Sequence, residues 1–211
     1  MATIAPPAEQ RIVLHDIAWE TYECLLADHV DRSAPHFTYD HGELEIVTPS
    51  VGHEEDNRTL ALLVEEIAME WSIDIRDVGS TTFKRRDLEQ GFEPDSSFYI
   101  QHEEHVRGKA EIDLLVDPPP DLVIEIEVTQ SAIAKLPLYA RMRIPEVWRL
   151  RDDRVKVLRL AGSGYYETAT SAALPPLTSE ILTDFLQSSR ALRRTAWIRQ
   201  VREWAQRALS S

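Results

Sequence analysis

The sequence of 211 residues has one cysteine, Cys24, and lacks any run of the ~18 apolar residues that a membrane-spanning helix needs. A single thiol cannot form a disulfide within the chain or build a thiolate metal cluster, which excludes a disulfide-framed secreted module. The opening residues MATIAPPAEQ have neither a basic segment nor an apolar core, so they do not form a secretory signal. We therefore expect a cytoplasmic protein without a membrane partner.

Basic residues are scarce in the first part of the chain. Residues 1–130 contain 9 Lys and Arg against 29 Asp and Glu, a net charge of −20. Residues 131–211 contain 14 against 7, a net charge of +7. The whole-chain charge of −13 argues against a nucleic-acid partner, because such binding depends on Lys and Arg contacts to phosphates. Because the charge is divided so unevenly, the net charge does not exclude a basic surface that binds phosphates.

The length fits one domain, and we divide the chain into a flexible arm at 1–14, a single domain at 15–189 and a C-terminal amphipathic helix at 190–211. Apolar spacing predicts helices at 16–28, 53–71, 131–143, 179–188 and 190–209, with Asp16 capping the first. Alternating runs predict a β-hairpin at 37–48 and strands at 73–78, 81–86, 95–100, 111–116, 121–128, 147–150, 155–160 and 165–168, with a polar loop at 87–94. This order predicts an α/β (α+β) fold with helices packed on a mixed sheet.

Acidic side chains recur beside two of the predicted strands. Asp95 follows Pro94, and Glu125 and Glu127 lie on the strand LVIEIEV. If the two strands pair, their carboxylates meet at one edge and call for a cation such as Mg²⁺, which prefers oxygen ligands. Lys135, eight to ten residues further on, is placed to return to the same edge and stabilise charge on a phosphoryl group. The competing interpretation makes Glu125 and Glu127 the solvent face of a half-buried strand and Asp95 a turn residue.

Several short motifs occur in an order that is typical of one protein family. They are Asp40-His41-Gly42-Glu43-Leu44, His53, Pro94-Asp95, Pro120-Asp121-Leu122-Val123-Ile124-Glu125-Ile126, Lys135 with Tyr139, and Ile144-Pro145-Glu146-Val147-Trp148. In this order they resemble a bacterial family, long labelled a domain of unknown function, within the restriction-endonuclease-like superfamily whose signature is written PD-(D/E)xK. The resemblance covers about residues 15–188.

The resemblance implies a restriction-endonuclease-like mixed β-sheet flanked by helices, with an N-terminal helix and β-hairpin and a C-terminal helix. It also implies a metal-dependent endonuclease that hydrolyses DNA phosphodiester bonds with Mg²⁺ or Mn²⁺. The family pattern makes Asp95 and Glu125 the metal ligands and Lys135 the catalytic lysine. His53 matches the histidine of the family and would orient water or a ligand, its alternative role being that of a helix cap or solvent residue. Glu54 beside it would serve as the helix-borne acid.

The sequence departs from the family pattern around the lysine. Glu127 occupies the position where the superfamily has its lysine, so either Lys135 takes that role or Glu127 adds an acid that changes the metal preference. Thr129-Gln130-Ser131 stand where the family often has Ser-Pro-Ser, and the acid four residues before the lysine is missing. Pro137 removes an amide donor unless it lies in the first turn of its helix.

These departures support an alternative function, a non-catalytic dimeric binding protein that retains the nuclease fold. A third hypothesis takes the paired acids as glycosidase residues, which would face each other across a sugar-sized cleft. The sequence offers no aromatic sugar platform in support of it.

The C-terminal helix combines a cationic face with an apolar stripe. The stripe consists of Trp197, Val201, Trp204 and Ala208, and the arginines are Arg190, Arg193, Arg194, Arg199, Arg202 and Arg207. Three interpretations compete: contact with a DNA backbone, a dimer helix, or a cap on the protein's own acidic face. Because tryptophans need burial, we favour self-association or packing within the chain, and we expect a homodimer.

Overall fold

The computed structural model describes residues 9–29, 32, 34–128 and 131–209. Its strands are β1 Gln10–Leu14, β2 His36–Asp40, β3 Glu43–Thr48, β4 Arg76–Asp77, β5 Phe83–Arg85, β6 Gln90–Phe92, β7 Ser96–Tyr99, β8 Leu122–Ile126, β9 Glu146–Arg151, β10 Arg154–Ala161 and β11 Gly164–Thr168. Its helices are α1 Trp19–Asp28, α2 Val51–Glu70, α3 Glu103–Val106, α4 Lys135–Arg141, α5 Ser179–Ala191 and α6 Arg194–Leu209. Among these described residues, no helix is both long enough and apolar enough to cross a membrane.

The strands of the described residues form two sheets. The first has the order β1-β3-β2-β6-β5 and is antiparallel throughout. The second has the order β11-β10-β9-β8-β7-β4, and its neighbours β8 and β9 run parallel. A parallel pair needs a crossover connection, which α4 supplies between β8 and β9. The α+β fold with a mixed sheet, flanking helices, an N-terminal helix and hairpin and a C-terminal helix is confirmed.

The long helix α2 fixes one side of the second sheet. Ser50 caps its start by accepting a hydrogen bond from the amide of His53 at 3.2 Å. Leu60, Leu63 and Ile67 share one core with side chains of β7, β8, β9, α5 and α6. Because His53 belongs to the first turn of this packed helix, the apolar face of α2 also fixes its position relative to β8.

A smaller core joins α1 to the hairpin of β2 and β3. Tyr22 of α1 stacks on Tyr39 of β2, with ring centroids 4.9 Å apart. The close approach of α1 depends on Gly91 in β6, because a Cβ atom at that position would overlap the hydroxyl of Tyr22. The stretch 87–94, expected to be a polar loop, contains the strand β6, in which Gly91 and Phe92 are buried.

The arm predicted for residues 1–14 is wrong for its last five residues. Residues 10–14 form β1, which pairs with β3 in a register from Gln10↔Thr48 to Leu14↔Leu44. Arg11 and Val13 are half-buried and their neighbours are exposed, the alternation of an edge strand with one inward face. Residues 1–8 and the pair Thr129-Gln130 lie outside the described residues.

Two further local predictions fail for identifiable reasons. Asp16 has a φ of +56°, and α1 begins only at Trp19 with Ala18 at its N-cap, so Asp16 does not cap the helix. The stretch 111–116 contains no strand among the described residues, because a turn forms there in which the amide of Asp117 donates to the carbonyl of Asp113 at 2.7 Å.

Strand β8 is buried on both faces, whereas the sequence pattern predicts a half-buried strand with an acidic face. Ile124 packs in the core of α2 and Val123 in the core of α4, so a helix covers each side. Glu125 is 8% exposed and therefore is not a solvent-facing residue. A strand covered on both faces is typical of a parallel pair in a sheet flanked by helices.

Helix α6 packs against its own chain. Trp197 and Val201 are buried, and the indole of Trp197 donates to the carbonyl of Phe185 at 2.8 Å. The indole of Trp71, the C-cap residue of α2, donates to the carbonyl of Ala205 in α6 at 2.9 Å. Packing within the chain thus accounts for the apolar stripe, and the homodimer stays a prediction.

Candidate active site

Asp95, between β6 and β7, is a buried carboxylate held from three sides. Its Oδ2 accepts a hydrogen bond from the amide of Ile126, at the end of β8, at 2.7 Å. Its Oδ1 lies 2.9 Å from Nε2 of His53 and 3.5 Å from Nδ1 of His36. Burial opposes ionisation, but the two histidines and the charge of Lys135 outweigh it and hold the pKa of Asp95 well below its usual range.

Glu125, on the neighbouring strand β8, has a different environment. Lys135 Nζ lies 2.7 Å from its Oε2, and the hydroxyl of Tyr139 donates a short hydrogen bond to its Oε1. Burial and the negative charge of Asp95 raise the pKa of Glu125, although Lys135 and Tyr139 act in the opposite direction. The charge of Asp95 therefore acts directly on Glu125, as expected of two acids in one site.

Lys135 is the first residue of α4, and its side chain is 19% exposed. Burial disfavours its ammonium form, but the charges of Glu125 and Asp95 outweigh burial and raise its pKa. Lys135 is thus a fixed cation at neutral pH. Pro137 occupies the third position of α4, within the first turn, where it removes no amide donor that the helix needs.

His53 lies between two carboxylates. Its Nδ1 donates to Oε2 of Glu9 at 3.0 Å, and its Nε2 faces Asp95. Burial lowers the pKa of an imidazole, but hydrogen bonding to Asp95 and Glu9 and their charges raise the pKa of His53 to about 10. The roles of helix cap and solvent residue that the sequence allows for His53 are wrong, since Ser50 is the N-cap and the ring of His53 is buried between the two acids.

One cavity of about 370 Å³ brings most of the sequence-predicted residues together. Asp95, Glu125, Lys135, His53 and Glu127 all line it. Glu54 does not line it but lines an adjoining groove, together with His53 and Glu127. The structure therefore places Glu54 beside these two candidates and outside the cavity that contains Asp95, Glu125 and Lys135.

Glu127 follows β8 and faces two arginines of β9. Its Oε2 lies 3.6 Å from Nη1 of Arg151 and 3.9 Å from Nε of Arg149. Both arginines line the cavity as well. In the signature of the superfamily, a lysine stands at the position of Glu127. In this structure the cation beside Glu125 is Lys135 of α4.

Sequence reasoning missed a group of charged residues on the first sheet. Arg11 of β1 bridges two acids: its Nη2 lies 2.8 Å from Oε1 of Glu9, and its Nη1 lies 2.6 Å from Oε1 of Glu45. Glu45 of β3 also accepts from the hydroxyl of Ser131 at 2.5 Å and from the amide of Ala132 at 2.7 Å, just before α4. The apolar run Ile12-Val13-Leu14 was the available signal, but the neighbouring Pro-Pro pair favoured an arm.

Two acids of the family motifs serve the fold. Asp121 accepts hydrogen bonds from the amides of Ile100 and His102 at 2.8 and 2.9 Å. Glu146 accepts from the indole of Trp148 at 2.7 Å and from the amide of Ala172 at 2.6 Å. Both anchor loops beside the second sheet, and neither lines the cavity.

The donor chemistry of the cavity suits a hard divalent cation. Asp95 and Glu125 offer carboxylate oxygens, and a typical Mg²⁺ site uses one or two carboxylates together with water and substrate phosphate oxygens. Both acids already contact cationic side chains, which shows that the site favours positive charge. Among the described residues, no group of three or more His, Cys, Asp and Glu side chains is arranged as metal ligands. A divalent ion held here would have Asp95 and Glu125 as its protein ligands.

The second sheet is mixed, and α4, in the crossover between its parallel strands, places Lys135 beside the buried acids Asp95 and Glu125. These features are those of the restriction-endonuclease-like class of proteins. More narrowly, the chain belongs to the Uma2 family, described as "putative restriction endonuclease", whose model matches residues 19–193. Strand β1 and helix α6 lie outside the matched range.

Comparison with solved structures supports the fold. The crystal structure of a "putative nuclease belonging to DUF820" from Anabaena variabilis superimposes with a TM-score of 0.54. It is 15% identical in sequence, and the match covers 81% of this chain and 99% of that one. At this identity the similarity shows the fold alone. No curated protein matches the chain.

Proposed function

We propose that this protein is a metal-dependent endonuclease that hydrolyses phosphodiester bonds of DNA. The observation that carries the proposal is that the side chains of Asp95, Glu125 and Lys135 line one cavity. The description of the family supports the same chemistry. A cytoplasmic location and a homodimer are parts of this proposal that await their own tests.

Asp95 and Glu125 would hold the ion, Mg²⁺ or Mn²⁺. When bound, such an ion lowers the pKa of a water molecule and neutralises charge on the phosphoryl oxygens. Asp95 suits this role because its low pKa keeps it ionised. Its second oxygen is fixed by the amide of Ile126, which orients the carboxylate towards the cavity.

The side chains of the second part of the chain act on the substrate. The ammonium group of Lys135 stabilises the negative charge that grows on the phosphate in the transition state. Arg149 and Arg151 present guanidinium groups on the wall of the same cavity, where they bind phosphate oxygens. The basic residues of the second part of the chain thus lie beside the acids of the first part in the same cavity.

Neutral variants of the two acids test the proposal. We expect Asp95→Asn and Glu125→Gln each to lower the rate of plasmid cleavage in Mg²⁺ or Mn²⁺ by at least about 100-fold, because each loses a carboxylate that would hold the ion. Glu55→Gln, on the exposed side of α2, serves as the control and should cleave like the wild type. Wild-type rates in both site variants would contradict the site.

A non-catalytic, dimeric binding protein is the second candidate function. The observation in its favour is that both oxygens of Glu125 already have protein partners, Lys135 and Tyr139. A melting temperature that rises with Mn²⁺ and loses this rise in Glu125→Gln, without cleavage of any DNA, would support a structural cation site, and a dimer in solution would complete the case. Cleavage that depends on Glu125 would reject it.

A further inference from the structure

The cavity has a wall that the family match does not include. Residues 9–11 lie before residue 19, where the match begins, yet Glu9 and Arg11 line the cavity. Their side chains continue the charge alternation of the site: Glu45, Arg11, Glu9, His53 and Asp95 follow one another at contacts of 2.6 to 3.0 Å. The side chain of Glu9 is only 2% exposed.

We infer that Glu9 is a positioning residue of the active site, which holds the ring of His53 so that Nε2 faces Asp95. The role rests on the proposed nuclease function, in which Asp95 is a metal ligand. An imidazole has nitrogens on two sides, and a partner on Nδ1 fixes which edge the ring turns to the other side. Glu9 is that partner, at 3.0 Å from Nδ1.

Glu9 is itself held in place by β1. Arg11 lies two residues further along, on the same side of the chain, and binds the other carboxylate oxygen of Glu9 at 2.8 Å. Arg11 is in turn held by Glu45 of β3, at 2.6 Å. The pairing of β1 with β3 thus fixes the position of Glu9, which orients His53 relative to Asp95.

Loss of a residue that orients a group of the site from behind typically lowers activity or metal affinity by about 10- to 100-fold. We expect Glu9→Ala to lower kcat by about the same factor. Glu9→Gln keeps a carbonyl oxygen that accepts from Nδ1, so we expect it to recover most of the lost rate. KM for DNA should change little in both variants, because Glu9 acts through His53. Gln10→Ala, at the exposed neighbouring position, is the matched control and should behave like the wild type.

A spectroscopic readout separates positioning from activity. In the wild type, the Nδ1 proton of His53 is buried against Glu9 and should give a downfield proton resonance coupled to nitrogen. Glu9→Ala should lose this resonance, whereas Glu9→Gln and Gln10→Ala should keep it. The melting temperature of each variant reports whether the fold is retained.

The outcomes separate the inference from the proposed function. An active wild type whose folded Glu9→Ala variant keeps its kcat, or keeps the Nδ1 resonance, would overturn the role of Glu9 alone. An equal loss of kcat in Glu9→Gln and Glu9→Ala, with the resonance kept in Glu9→Gln, would also overturn it. A wild type that cleaves no DNA in Mg²⁺ or Mn²⁺ would overturn the proposed function and the role of Glu9 with it.

Discussion

Asp95 and Glu125 are both buried carboxylates in one cavity, but their pKa values shift in opposite directions. Asp95 receives a backbone amide and faces two imidazoles, whereas Glu125 has one ammonium and one phenol. The two negative charges repel each other, and this repulsion raises the pKa of Glu125, the acid with fewer positive neighbours. The comparison shows that the site favours the ionised form of Asp95, and that Lys135 is the largest of the contributions that lower the pKa of Glu125.

Removal of Lys135 should have the largest effect on this pair. Lys135→Met leaves Glu125 buried with Tyr139 as its remaining partner, and breaking a buried ion pair from one side costs about 3 to 5 kcal/mol of unfolding free energy. Urea unfolding measures the loss. The double variant Lys135→Met with Glu125→Gln should recover most of it, because no unpaired charge remains.

Lys156→Met is the control for this prediction. Lys156 pairs with Glu167 on the surface, where the loss of an ion pair costs at most about 1 kcal/mol. A loss of similar size in both lysine variants would show that Glu125 does not depend on Lys135.

A smaller effect concerns the Asp95 side of the comparison and appears as a pH dependence. Folding raises the pKa of His53 from 6.5 to about 10, so its stabilising contribution is complete below pH 6.5 and is lost as the pH rises to about 10. The unfolding free energy of the wild type should therefore fall between pH 7 and pH 10. His53→Gln should remove more than about 1.4 kcal/mol of that fall, the equivalent of one pH unit.

His105→Gln provides the comparison for this experiment. His105 is exposed on α3, so its substitution should leave the alkaline slope as it is in the wild type. The same slope in His53→Gln and in the wild type would mean that His53 does not carry its charge between Glu9 and Asp95.

The smallest expected effect tests the second partner of Glu125. Tyr139→Phe removes the hydroxyl that donates to Oε1 and should lower the unfolding free energy by about 1 kcal/mol. It should also raise the pKa of Glu125 further, because a donor to the ionised form is lost. Tyr166→Phe, at a half-exposed position on β11, should be neutral in the same urea titration. A neutral Tyr139→Phe would leave Lys135 as the sole support of Glu125.

The sequence was sufficient to predict the central residues of the site but not their surroundings. Asp95, Glu125 and Lys135 stand in motifs whose order points to one family, and the structure brings them together. The burial of Glu125 could not be predicted from the alternation of β8, because alternation is typical of a half-buried strand whereas here helices cover both faces. The environment of each acid, and hence its pKa, depends on contacts that local spacing does not encode.

The role of β1 illustrates the same limit. Glu9 and His53 are separated by 44 positions, and their contact arises only because β1 pairs with β3. The local signal for β1 is the short apolar run Ile12-Val13-Leu14, and the two prolines before it favour an arm. Pairing with a distant strand decided its structure, as tertiary context often does for weak strand sequences.

Helix α6 has a practical consequence for any shortened form of this protein. The family match ends at residue 193, immediately before α6, which makes this point an obvious place to truncate the chain. Such a fragment would lose the buried side chains of Trp197 and Val201 and leave Phe185 and the indole of Trp71 uncovered. An apolar patch of this kind promotes aggregation, so the expression boundary should fall beyond Leu209.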